Sequence, residues 1–156
     1  MISAILLSIS LFGHGQLNTS SQHVAGWTLK ITRDPYADQT SCSLRKGRVI
    51  FERHSLVFDF GAGTDTDNAF FRLDGGAPHS LSEVKIEDER NGFFDNGVSL
   101  KDPLAGRVVL PVSAVADAKE VSIRLSPKYG PHTFDVRGLA DALAAAKSAG
   151  CGADFA

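Results

Sequence analysis

Apolar and polar residues alternate along much of this chain, and that period of two commits it to strands. In the segment WTLKIT, Trp27, Leu29 and Ile31 share one side, and Thr28, Lys30 and Thr32 the other. Successive side chains of a strand point to opposite faces, so such a segment buries one face and wets the other. EVSIRLSP repeats the pattern with Val121, Ile123 and Leu125 inward. LSEVKIEDER does so with Val84 and Ile86 inward and Glu83, Lys85 and Glu87 outward. RVIFERHSLVFDFG changes phase: Val49 and Phe51 share one parity, Leu56, Phe58 and Phe60 the other. A bulge or a tight turn near Arg53-His54-Ser55 produces such a slip.

TSCSLRKG, AFFRLDGG, RVVLPVS and HTFDV bring the set to about seven or eight short strands separated by turn residues. SAVADA reads as a short helical turn, and NGFFDNGVSLKDPLAG, broken by Gly and Pro, as a hairpin or loop. One helix closes the chain, from Gly138 to Ala149: Leu139, Leu143 and Ala146 form an apolar stripe with Ala142 and Ala149 beside it. Asp141 near its start and Lys147 near its end suit the helix dipole, and Gly150 suits a left-handed cap. The expected fold is mainly β, an antiparallel β-sandwich or partly open barrel with one C-terminal α-helix.

Composition agrees. Ten Phe against one Trp and two Tyr, with 15 Gly, favour strands and turns. A chain of 156 residues fits one domain and buries enough surface to fold without a metal. A net charge of −2 argues against a basic nucleic-acid footprint and against an acidic disordered tail.

The first residues, MISAILLSISLFGHGQ, read as a signal peptide over 1–15, with the small residues Gly13 and Gly15 at −3 and −1 of a cleavage site before Gln16. Ile2 to Phe12 is shorter than the roughly 20 residues of a membrane-spanning helix, so no stable membrane insertion is expected after processing. The run lacks the usual basic residue after Met1. A buried N-terminal strand is the competing reading. Residues 16–25 are polar and are expected as a flexible lead-in to a single β-rich domain over 26–156.

The only two cysteines are Cys42 and Cys151. In an exported protein of this size two cysteines pair, which would clamp the terminal helix to the opening β-hairpin. Free buried thiols are the alternative. Cys151 follows the helix C-terminus, the wrong end to stabilise a reactive thiolate.

The search for chemistry returns little. His23, His54, His79 and His132 are scattered, with neither an i, i+4 pair nor an H-x-H. Asp65, Asp67 and Asn68 begin like a calcium loop, but Phe70 and Gly76 stand where the EF-hand requires glycine and glutamate. Gly61-Ala62-Gly63 has no helix after it to cradle a phosphate, and G-x-S-x-G is absent. Glu87-Asp88-Glu89 reads as a solvated edge. No catalytic residue, cofactor or metal is expected. A loop-built hydrolase or metal-dependent enzyme would have to draw on His54, His79 or His132 with a carboxylate.

The cations are less easily set aside. Lys30, Arg72 and Arg124 each take the outward parity of an apolar strand, and Arg137 follows the last one. If those strands are neighbours, the four make a row able to meet a protein or an anionic envelope ligand. The alternative is cross-strand pairing with Asp74, Asp135 or Glu87.

The order of GWTLKITRD, SCSL, FRLDGG, GRVVLPVSAVADAKEVSIRL and FDVRGLADALAAAKSAGC resembles the invasion-associated locus B family of small bacterial periplasmic proteins. The likeness spans most of residues 26–151, without the family's further mid-chain cysteines. It implies a periplasmic, non-enzymatic β protein, with no catalytic residues to carry over. Together these readings give an exported envelope binding or accessory protein, with a protein inhibitor acting through an arginine-bearing sheet face as one variant.

Overall fold

In the computed structural model, which describes residues 17–84, 87, 90–91, 106–152 and 155, the alternating segments become ten strands in two antiparallel sheets. They are β1 (Asn18–Val24), β2 (Trp27–Asp34), β3 (Gln39–Lys46), β4 (Val49–Glu52), β5 (Ser55–Asp59), β6 (Phe70–Leu73), β7 (His79–Ser80), β8 (Arg107–Pro111), β9 (Glu120–Arg124) and β10 (His132–Asp135). The larger sheet has the order β1-β2-β3-β4-β5-β8, the smaller β10-β9-β6-β7. Neither sheet closes on itself, so the architecture is a sandwich rather than a barrel. The expected signal peptide, 1–15, lies outside the described residues, as does most of the hairpin or loop expected at 91–106.

Side-chain parity builds the core. Trp27, Leu29, Leu44, Leu56, Phe58 and Leu110 from the larger sheet meet Phe71, Val121 and Ile123 from the smaller one. The helix Leu139–Ser148 adds Leu139, Ala142 and Ala146 to the same cluster. Its alanines present almost no bulk, so its backbone can lie close against the rest. On the other face of the larger sheet, Val57 and Val109 are also buried and pack with Ile50. That two-sided burial is why SLVF and RVVLP read as continuous apolar runs.

Turn chemistry sets the hairpins. Ala25 and Gly26 both have positive φ, 50° and 86°, as a type I′ turn between β1 and β2 requires. Arg53 and His54 take the same conformation, 48° and 60°, with no glycine. The phase change in RVIFERHSLVF is therefore a two-residue hairpin, the tight-turn alternative, and it separates β4 from β5.

Two expectations are corrected. The stretch expected as a flexible lead-in, 16–25, contains a strand: Asn18 to Val24 pair with β2 in seven consecutive positions. Their polarity reflects an exposed edge strand, held by backbone hydrogen bonds rather than by a buried face. LSEVKIEDER does not open as a strand. Leu81–Glu83 is a 3₁₀ turn started by a capping box, in which the Ser80 hydroxyl accepts from the Ser82 N–H and the Glu83 carboxylate accepts from the Ser80 N–H at 2.8 Å. The S-x-x-E spacing at Ser80 carries that start signal, and it outweighs the alternation that follows. Ile86, expected inward, lies outside the described residues.

Cys42 and Cys151 form a disulfide with Cα atoms 5.6 Å apart. The helix ends in a Schellman motif that aims the second cysteine. Gly150 has φ +81° and donates to the Lys147 carbonyl, and the Cys151 N–H returns to the Ala146 carbonyl. The chain thus reverses at the helix end and runs back onto β3.

Candidate functional site

The register of β6 and β9 assembles the one face on which the cations meet. Phe70 stands opposite Arg124, and Arg72 opposite Ser122. Their neighbours Phe71, Val121 and Ile123 enter the core, so these four side chains lie on the outer face of the smaller sheet. Arg72 and Arg124 are diagonal neighbours, roughly 7–8 Å apart by strand geometry. Thr133 and Asp135 of β10 extend the face through their pairing with Ser122 and Glu120.

Three adjoining grooves cross this face. The central one, about 320 Å³, lies between Phe70, Arg72, Pro78, Ser122, Arg124 and Pro131. It shares Gly75 and Glu120 with a groove of about 470 Å³ that also holds Lys119, Asp135 and Arg137. On its other side Phe70 is shared with a groove of about 940 Å³ lined by Leu125, Pro127, Lys128 and Tyr129. Phe70 is 41% exposed and Tyr129 68%, large apolar surface left in water between charged residues.

The cations on this surface have different partners. Arg137 is held by Asp135, its Nε and Nη2 donating at 2.8 and 3.1 Å. That fork, supplemented by the Arg137 backbone N–H and by Lys46 Nζ at 3.2 Å, holds the Asp135 carboxyl well below the usual carboxylate range. The carboxylate in return raises the Arg137 pKa. Arg72 and Arg124 are exposed and, among the described residues, neither meets a carboxylate. The pairing alternative holds for Arg137, with Asp135; the other two acids it offered are engaged elsewhere. Asp74 accepts the backbone N–H groups of Lys119 and Glu120 at 2.9 Å, and Glu87 accepts from Ser113 at 2.6 Å.

Lys30 does not join the row. It sits on β2 of the larger sheet, so the sandwich separates it from Arg72 and Arg124. Arg137 reaches the neighbouring groove, but as one half of an ion pair. Phe70, in contrast, belongs to the face and was not among the expected site residues. The signal was present, since Phe70 shares the parity of Arg72 in AFFRLDGG.

The histidines are dispersed by strand order. His79 on β7 and His132 on β10 occupy opposite edges of the smaller sheet, and His54 lies in the turn after β4 of the larger one. His79 stacks on Phe71 and bonds Glu83 at 2.9 Å, which with the stronger hydrogen bond from the Ser80 N–H lowers the Glu83 pKa. His132 meets the edge of Phe60. Among the described residues no three His, Cys, Asp or Glu side chains are placed to hold a metal ion. Asp65 accepts the Asp67 N–H at 3.0 Å, an Asx turn.

No helix among the described residues is long and apolar enough to cross a membrane. No protein-family model, no curated protein and no solved structure matches the chain.

Proposed function

We propose that this protein is a non-catalytic binding module of an oxidising compartment outside the cytoplasm, and that it engages an anionic partner through the outer face of its smaller sheet. The observation that carries the reading is the pair Arg72 and Arg124, two exposed guanidiniums on one face, neither of them in an ion pair among the described residues. Two neighbouring guanidiniums outside any ion pair create a local positive potential that steers and orients an anion. The Cys42–Cys151 bridge supports the compartment, because disulfides persist where thiols are not kept reduced.

A photo-crosslinking residue at Ser122, between the two arginines in register, tests this in cells that make the protein. The expected result is one dominant crosslinked partner, identified by mass spectrometry and lost in Arg72→Glu/Arg124→Glu. Crosslinks unchanged by that double variant overturn the reading.

A further inference from the structure

Resting on that reading, we infer that the ligand is an extended acidic segment of a partner protein, one that carries a carboxylate and an apolar side chain two residues apart. Strand periodicity is the source of the spacing. Phe70 and Arg72 are alternate residues of β6 on one face, roughly 7 Å apart, and Arg124 faces Phe70 across the ladder. In an extended peptide, side chains i and i+2 share a face with the same separation. A carboxylate at i can therefore sit over Arg72, with the Arg124 guanidinium reaching it from the diagonal position, while an apolar residue at i+2 covers Phe70. Beyond Phe70 the wider groove offers Leu125, Pro127 and Tyr129 for that side chain. Arg presents a fork of donors that suits a planar carboxylate, and the Ser122 hydroxyl beneath offers another donor.

Glu120 gives the groove a direction. Its carboxylate lines the groove on the side away from Phe70, shared with Lys119 and the Asp135–Arg137 pair. It repels a second acidic residue there and favours a run that is acidic over the arginines and apolar toward Tyr129. A uniformly anionic surface meets Glu120 unfavourably at one end and leaves Phe70 and Tyr129 without apolar cover. The mixed peptide satisfies both halves of the face.

Fluorescence anisotropy on the full chain with its disulfide intact tests this, using a labelled peptide Gly-Ser-Glu-Thr-Phe-Ser-Gly. Saturable binding that weakens with added salt is expected. Replacing its Glu by Gln, or moving Glu next to Phe so that the two point to opposite faces, should weaken it about tenfold or more. On the protein, Arg72→Gln/Arg124→Gln should cost about 10- to 100-fold and Phe70→Ala about tenfold, while Lys30→Gln on the other sheet changes nothing. The inference is overturned by no saturation up to about 1 mM peptide, by equal binding of the adjacent Glu-Phe peptide, or by an equal loss in Lys30→Gln. Tighter association with vesicles of anionic phospholipid, competing with the peptide, overturns it in favour of a membrane surface. Should the peptide fail while the Ser122 crosslink remains sensitive to the arginine variants, this inference falls and the binding-face reading stands. If the crosslink is also insensitive, both fall.

Discussion

The indole N–H of Trp27 donates to the backbone carbonyl of Arg137 at 3.0 Å, tying a fully buried core residue to the segment between β10 and the terminal helix. Lys46 Nζ donates to the same carbonyl at 3.0 Å and pairs with Asp135 at 3.2 Å. The first hairpins, the last strand and the rim of the candidate face thus meet at one oxygen. Replacing Trp27 by Phe removes the buried bond and leaves a gap beside it. A loss of about 2–4 kcal/mol in urea unfolding is expected, against less than about 1 kcal/mol for Lys46→Met, which keeps the half-buried stem and loses the pairing with a solvent-exposed carboxylate.

The disulfide joins β3 to the chain just past the helix, closing a loop of more than a hundred residues. Chain entropy gives such a crosslink roughly 4–5 kcal/mol, with measured values often lower. Denaturant unfolding of the oxidised protein, beside Cys42→Ala/Cys151→Ala, should show the extrapolated unfolding free energy fall by up to that amount, with a lower midpoint. No change in midpoint would mean that the bridge constrains nothing.

Asp135 makes part of the stability depend on pH. Its carboxyl is acidified in the folded state by Arg137 and Lys46, so the unfolded chain binds the proton more readily. The contribution is complete above the unfolded pKa near about 4 and is lost as the pH falls from there through the folded pKa. Asp135→Asn should therefore be less stable than wild type at pH 7. The gap between their urea midpoints should shrink steadily below about pH 4. A constant gap would assign the effect to packing instead.

Gly138 is confined by its neighbour. It has φ +79°, and a Cβ there would overlap the Ala25 side chain and come within 2.7 Å of the Ala25 carbonyl oxygen. Gly150 has φ +81° but nothing within 4 Å of the same built position. Gly150→Ala should cost only the left-handed strain, about 1–2 kcal/mol, and Gly138→Ala about 3 kcal/mol or more once the overlap is added. Thermal melts of the two variants check the order.

The Arg53-His54 turn runs the other way. His54 holds φ 60° with a side chain that the left-handed region disfavours. His54→Gly relieves that strain at some cost in unfolded-state entropy, so stability should rise by up to about 1 kcal/mol in urea unfolding. A decrease would show that the imidazole makes a contact worth more than the strain.

Much of the architecture was legible in local pattern. Alternation in WTLKIT and EVSIRL states which residues enter the core, because strand side chains reverse face at every step. The helix stripe and Gly150 likewise carry their own geometry. Residues 18–24 were not legible, because an edge strand of polar residues is held by backbone bonds that side chains do not report. Nor was Leu81–Glu83, where three residues of alternation yield to one cap.

For the candidate site, the sequence by itself determined that Lys30, Arg72 and Arg124 point outward, and that Phe70 points with Arg72. Only the tertiary structure decided which of them are neighbours. Strand order placed β6 beside β9 and sent β2 to the opposite sheet, so two arginines meet and the lysine is excluded. It also moved His79 and His132 to opposite edges. The reason is the range of the interactions: parity depends on adjacent residues, whereas sheet partners are chosen by contacts between segments tens of residues apart, and no local period encodes that choice.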